Sequence, residues 1–500
     1  MTRRGHEGCP QPSTWDNGAT WERQGPVPDR LSALDVSFFY LEEETTPMHV
    51  GEMLIFQAPD SGFDYDRLVT LIRRRIAFVP RYRQRVRWVP GRLANPVWVD
   101  DQDFDVAFHV RRSALPSPGT EGQLRELAAR IMSRPLDRSR PLWEVYLVEG
   151  LEGGRFAILT KTHHAMIDGT AAVDIGQVIL DATPDPKPTP DLHWNPSQEP
   201  SGAELVAGAV VDTVRRPAAI VDHARKSLAD VSVAATEALR QAGGLVTALW
   251  SAARPPAESP LNVPIGAQRR FGTATLDLED FKRIRRYHGG TVNDVVLAVI
   301  AGALRAWLMT RQETVGTRHT IRAMVPVSVQ ELGTRRPGSE VEAFVVDLPT
   351  GEPDPVVRLN RISFEMAQHS ASGHMVGAQT LVALTGFAPP TLHAMGARVA
   401  GDLSRRVSNV VITNVPGPQT PLYVAGAELL GAYPVLPLVK GMALTIGLTS
   451  YNGGVFFGLN ADRDAMDDVD VLTACLSEAM DELLDTTRRT RNRAKSARRG

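Results

Sequence analysis

Two proline-crowded stretches, "TPDPKPTPDLHWNPSQEP" at 183–200 and "ARPPAESPLNVP" at 253–264, constrain the fold most. Proline fixes φ and removes a backbone donor, so neither stretch can continue a helix or a central strand. On each side the chain alternates strand-like and helix-like runs. Upstream, 49–56, 142–151 and 155–164 read as strands, and 63–80 reads as a helix ended by Pro80. Downstream, 321–329, 341–349, 408–417 and 453–462 read as strands. There "DLEDFKRIRRYHG" reads as a helix capped by Asp277, and "TVNDVVLAVIAGALRAWLMTRQ" as a long buried one. Between the proline stretches, 203–250 is Ala/Val-rich and reads as connecting helices. The expectation is an α/β chain with mixed (α+β) sheets in two halves. We divide it into a disordered extension (1–29), an N-terminal half (30–195), linker and crossover helices (196–262), a C-terminal half (263–485) and a basic tail (486–500).

Composition narrows the function. A formal net charge of −2 provides no global field for nucleic acid. The two cysteines, Cys9 and Cys475, make neither a disulfide framework nor a CxxC metal site, which fits a reducing cytosol. The first thirty residues lack the apolar run of a secretory signal. No run reads as the roughly 18 apolar residues of a spanning helix, and the nearest, 429–439, carries Pro434 and Pro437. The expected location is therefore the cytoplasm, with peripheral membrane contact.

The chemistry-bearing stretch is "KTHHAMIDGT" at 161–170, where a strand runs into two histidines and a helix follows. Adjacent residues on a strand face opposite ways, so His163 and His164 cannot share one job. One should face the site while the other packs. A neutral imidazole can take a proton from a hydroxyl near neutral pH. Asp168 could fix the loop or the ring, and Gly169 would allow a tight turn. The competing reading is a buried, hydrogen-bonded histidine pair. No HExxH or third ligand accompanies the histidines, so no metal is expected. GxSxG, P-loop and GxGxxG patterns are absent as well, which disfavours a serine hydrolase and nucleotide chemistry of those kinds.

His163-His164-Ala-Met-Ile-Asp168-Gly169 resembles the active-site motif of the CoA-dependent acyltransferase superfamily. "LSALDVSFFYLE" with "PMHVG", then "RPLWEVYLVEGL", "TVNDVVLAVIAGALRAWL", "MVPVSV" and "TNVPGP" follow one another in order. Together, over roughly 31–485, they resemble the bacterial wax ester synthase/diacylglycerol acyltransferase family. Gly338-Ser339 departs from the family's Gly-Asn, and Thr413 stands where Ser is usual. The resemblance implies two chloramphenicol-acetyltransferase-like halves joined by a helical crossover, with a channel between them. It implies that acyl-CoA, as co-substrate, meets diacylglycerol or a long-chain alcohol at His164, the general base. It makes Asp168 architectural and requires no cofactor. The expected product is triacylglycerol, with wax esters as the alternative and a non-catalytic lipid-binding or droplet-coating protein as the reading of another class.

Other motifs carry two readings each. Trp143 of Pro141-Leu142-Trp143 either packs the core or lines the channel. Asn293-Asp294 either caps a helix, with Thr291 or Asn293 as the cap, or supports the site. Asn414–Pro418 either fixes a turn or borders the channel. The tail's Arg488, Arg489, Arg491, Arg493, Lys495, Arg498 and Arg499 either attach salt-sensitively to an anionic membrane surface or form a solvated, disordered tail. The expected surface partner is a membrane or lipid droplet.

Overall fold

The computed structural model describes residues 29–167, 175–185, 190, 194–211, 259–328, 341–372, 376–377 and 408–497. Expectations for 1–28, 212–258 and the turn at Asp168 and Gly169 lie outside the described residues. Two mixed sheets carry the fold, as the sequence predicts. The first has six strands in the spatial order Tyr423–Val424, Ala427–Val435, His49–Gln57, Arg155–His163, Trp143–Leu151 and Val110–Ala114. All its pairs are antiparallel except Val110–Ala114 with Trp143–Leu151. The second has seven, ordered Val376–Gly377, Val341–Leu348, Ile321–Ser328, Val410–Pro416, Leu444–Tyr451, Gly454–Asp462 and Arg269–Asp277. In it Val410–Pro416 lies parallel to both its neighbours.

The first sheet is not built from its own half of the chain. Ala427–Val435 leaves the C-terminal half and pairs antiparallel with His49–Gln57, setting Val435 against Gly51 and Pro434 against Glu52. Its outer neighbour reaches only Ala427 and Glu428. Pro434 therefore sits on an open edge, where a missing N–H costs no ladder bond. The exchanged strand also lies against the second sheet. A Cβ on Gly458 would come within 1.9 Å of the Pro434 carbonyl oxygen, so only glycine lets the two backbones approach this closely.

Helix Val292–Thr310 is the axis of the second half. It has 19 residues with mean hydropathy 1.6, long and apolar enough to cross a membrane. This corrects the expectation that no segment reaches that length. It lies inside the protein: Val295 through Ala301 are buried, as are Leu304 and Trp307, among side chains such as Phe281, Leu359 and Leu476 from the neighbouring helices. A helix apolar all round is what such a central position demands.

Two boundary segments differ from simple linkers. Residues 202–211 are helical, and Leu205 and Ala209 pack on Val89, Val97 and Val99 of the first half. Glu199 holds Arg85 at 2.6 Å beside them. At the other end, helix Val469–Ala497 runs through the start of the basic tail, so residues up to 497 are its last turns rather than a separate segment.

Candidate active site

The strand Arg155–His163 ends at His163, and His164 opens a one-turn 3-10 helix, His164–Met166. The change of backbone separates the two rings. His163 is buried, with 1% of its surface exposed, while His164 is only partly covered. The paired histidines meet paired aromatics on helix Ala33–Leu41. Phe38 stacks on His164 at 4.1 Å and Phe39 on His163 at 4.5 Å, each inclined by 22°. That helix begins with a capping box in which the Ser32 hydroxyl accepts the Asp35 N–H and the Asp35 carboxylate accepts the Ser32 N–H, both at 3.1 Å.

Main-chain bonds fix the histidine pair from both flanks. The His163 N–H donates to the Leu142 carbonyl and the His164 N–H to the Met48 carbonyl, each at 2.9 Å. His163 Nδ1 accepts the Ala165 N–H at 3.1 Å. Its Nε2 faces Glu42 Oε2 at 3.5 Å, and Arg138 pairs with the same carboxylate. Burial alone would raise the Glu42 carboxyl, but His163 and Arg138 outweigh it and lower the group to about 2. For His164 burial acts downward, and the neighbouring His163 adds to it. A bond to its own backbone opposes them, and the ring is pushed down to about 4. His164 is thus a neutral imidazole at neutral pH.

Beneath this pair lies a structural layer of buried charge. Lys161 donates to the carbonyls of Ile131 and Arg134, and His49 Nε2 bonds the Met132 carbonyl at 2.6 Å. Both groups close the C-terminal end of helix Glu121–Met132, where free carbonyls favour donors and positive charge. Burial lowers Lys161 to about 8 and holds His49 well below its ordinary value.

The remaining sequence-predicted residues divide. Thr291 is the cap of helix Val292–Thr310, and Asp294 closes its capping box by accepting the Thr291 N–H at 2.8 Å. Asp294 is thereby occupied with its own helix. Asn293 reaches outward, and its Oδ1 accepts Asn414 Nδ2–H at 3.1 Å, which joins two of the sequence motifs. Trp143 is fully buried; its Nε1–H donates to the Tyr82 carbonyl at 2.8 Å and its ring stacks on His109 at 4.6 Å. It packs the core, and its neighbour Leu142 supplies the carbonyl beneath His163. At the seam between the halves a cleft of about 260 Å³ is lined by Thr45, Asn262, Val263, Pro264, Ile265 and Lys440.

Sequence reasoning assigned no role to Phe38, Phe39, Glu42 or Met48. The signal was present: "FFYLEEETTPMH" places two aromatics and an acid just before the strand that pairs with the histidines.

A family model described as the wax ester synthase/diacylglycerol acyltransferase catalytic domain matches residues 31–296. The corresponding C-terminal domain matches residues 338–484. A Mycobacterium tuberculosis H37Rv protein named probable diacyglycerol O-acyltransferase tgs2 is 35% identical over 91% of this chain and 98% of its own. Another, named probable diacyglycerol O-acyltransferase tgs3, is 44% identical over 51% of this chain and 95% of its own. Among solved structures, a wax ester synthase/diacylglycerol acyltransferase from Marinobacter aquaeolei VT8 superposes with a TM-score of 0.65 at 29% identity, covering 92% of this chain and 99% of that one. The first condensation domain of the CDA synthetase shares the fold at a TM-score of 0.53 and 16% identity, over 92% of this chain and 97% of that one.

Proposed function

The chain belongs to the wax ester synthase/diacylglycerol acyltransferase family, and we propose that it moves the acyl group of an acyl-CoA to the hydroxyl of diacylglycerol, with His164 as general base. The observation that carries the reading is the division of labour within the histidine pair. His163 is buried and bonded at Nδ1, whereas His164 is partly exposed and held neutral. A base at about 4 does not generate a free alkoxide. Instead the proton moves to His164 as the acceptor oxygen attacks the thioester carbonyl, so charge never accumulates on the alcohol. The tetrahedral intermediate collapses with cleavage of the C–S bond, and the imidazolium returns its proton to the CoA thiolate. Thiols titrate at roughly 8.5, so this return is strongly downhill. The triacylglycerol leaves, free CoA leaves, and the ring is neutral again.

No covalent acyl-enzyme, metal or prosthetic group enters these steps. In this reading Asn293, bonded to Asn414 at 3.1 Å, supports the site, as do Asp168 and Gly169, which follow the base in the chain. Because diacylglycerol partitions into bilayers, the protein works at a membrane or lipid-droplet surface from the cytoplasmic side. The test is free-thiol release from palmitoyl-CoA with diacylglycerol or hexadecanol, in wild type and His164→Ala. Diacylglycerol-dependent thiol release, lost in the variant, is expected. A preference for hexadecanol would assign wax ester synthesis instead, and no release with either would leave a lipid-binding role.

A further inference from the structure

We propose that Glu42 is a positioning residue for the catalytic base, holding the two peptide units that bracket His164. Its carboxylate sits just past the end of helix Ala33–Leu41 and is only 6% exposed. Two separate paths lead from it to the base. Through Oε1 it accepts the Met48 N–H at 3.2 Å, and the Met48 carbonyl in turn accepts the His164 N–H at 2.9 Å. Through Oε2 it faces His163 Nε2 at 3.5 Å, and His163 Nδ1 accepts the Ala165 N–H at 3.1 Å. One side chain therefore governs the amide before the His164 side chain and the amide after it.

The second path also sets a tautomer. A ring nitrogen that accepts a hydrogen bond carries no proton, so Nδ1 of His163 is bare and Nε2 bears the hydrogen. Nε2 is buried without a hydrogen-bond partner among the described residues, and Glu42 Oε2 stands opposite it at 3.5 Å. A carboxylate is the partner that favours this tautomer, and Arg138 anchors that carboxylate from the solvent side.

Local stability does not explain Glu42. An acid just beyond a helix C-terminus opposes the macrodipole, and burying its charge costs free energy unless partners compensate. The compensation comes from Arg138 and His163, and the structural return goes to the turn bearing His164. Misplacing a reacting group by about 1 Å can cost about 10²-fold in rate, which sets the scale expected on releasing this network.

The inference rests on the acyl-transfer reading, and two readouts keep them apart. Glu42→Gln retains size and one acceptor oxygen but loses the charge and one of the two paths. We expect kcat for thiol release to fall about 10- to 100-fold, with KM for palmitoyl-CoA within about twofold of wild type. With ¹⁵N-histidine labelling, wild-type His163 should show a bare Nδ1 and a protonated Nε2, and Glu42→Gln should show a mixture. Unchanged kcat, a loss carried by KM, or an unaltered His163 tautomer would overturn the proposal. If wild type releases no thiol, the acyl-transfer reading fails while the tautomer arm still judges Glu42. If Glu42→Gln does not fold, Arg138→Gln serves in its place. The Arg138 side chain is half exposed, so its loss spares the core. It should lower kcat severalfold at constant KM, and wild-type kcat there would overturn the idea.

Discussion

A depressed base leaves a pH signature. His164 stays neutral down to about 4, whereas an ordinary histidine protonates near 6.5. The acid limb of kcat/KM should therefore fall near pH 4, and a limb near 6.5 would show that the ring is better solvated than its surroundings allow. The same shift makes a stability prediction. Between about 6.5 and about 4 the unfolded chain takes up a proton that folded His164 refuses, so stability falls as pH drops through that window and the loss saturates below it. Denaturant midpoints of wild type and His164→Ala, compared across the window, isolate that contribution. His163→Ala should keep measurable turnover, since that ring positions the turn rather than contacting substrate. Inactivity in a well-folded His163 variant equal to that of His164→Ala would assign His163 a direct role. At this scale the sequence was legible in part. It expects the two adjacent histidines to differ by strand alternation, and one is buried and the other partly covered, but the difference comes from the change of strand to 3-10 turn at His164. Glu42 was not legible, because its reach to His163 depends on a loop that brings residues 121 apart in the chain within 3.5 Å.

Elements were legible wherever period and caps agreed. Asp277 caps the helix the sequence assigned to it, Thr291 rather than Asn293 caps the next, and the strand ending at His163 was read to within one residue. Ala427–Val435 was missed, because Pro434 signals a break unless one knows that its edge is open. The short strands Gln84–Arg87 and Val97–Asp100 gave too few alternations to read. Two substitutions test the element assignments. Thr291→Ala removes the hydroxyl that accepts the Asp294 N–H at 3.1 Å, and should cost about 1 kcal/mol of stability. Trp143→Ala should cost about 3–5 kcal/mol, because the ring is fully buried and its Nε1–H bond is lost with it. Chemical denaturation reads both. A Trp143→Ala variant with unchanged stability but altered acyl-chain preference would move Trp143 from the core to the channel wall.

The whole molecule is tied together by the exchanged strand, and this makes its unfolding a single event. Ala427–Val435 completes the first sheet by pairing with His49–Gln57 while its backbone presses on Gly458 of the second. Further ties cross the seam: the Thr275 hydroxyl bonds the Tyr433 phenol at 2.9 Å, Lys440 bonds Glu43 at 2.9 Å, and Arg269 donates to the Thr45 carbonyl. A chain whose halves merely touched would lose one without the other. Here neither sheet can open without exposing the edge or face of its neighbour. Calorimetry should therefore show one transition for the full chain. Gly458→Ala tests the junction directly, since its Cβ would lie 1.9 Å from the Pro434 carbonyl oxygen and no rotamer relieves a clash with backbone. The strand must shift, and a shift of that strand disturbs both sheets. We expect the single transition to move down as a unit, by several degrees. Two resolved transitions, with only the C-terminal half destabilised, would show that the halves fold independently and that the shared strand merely docks.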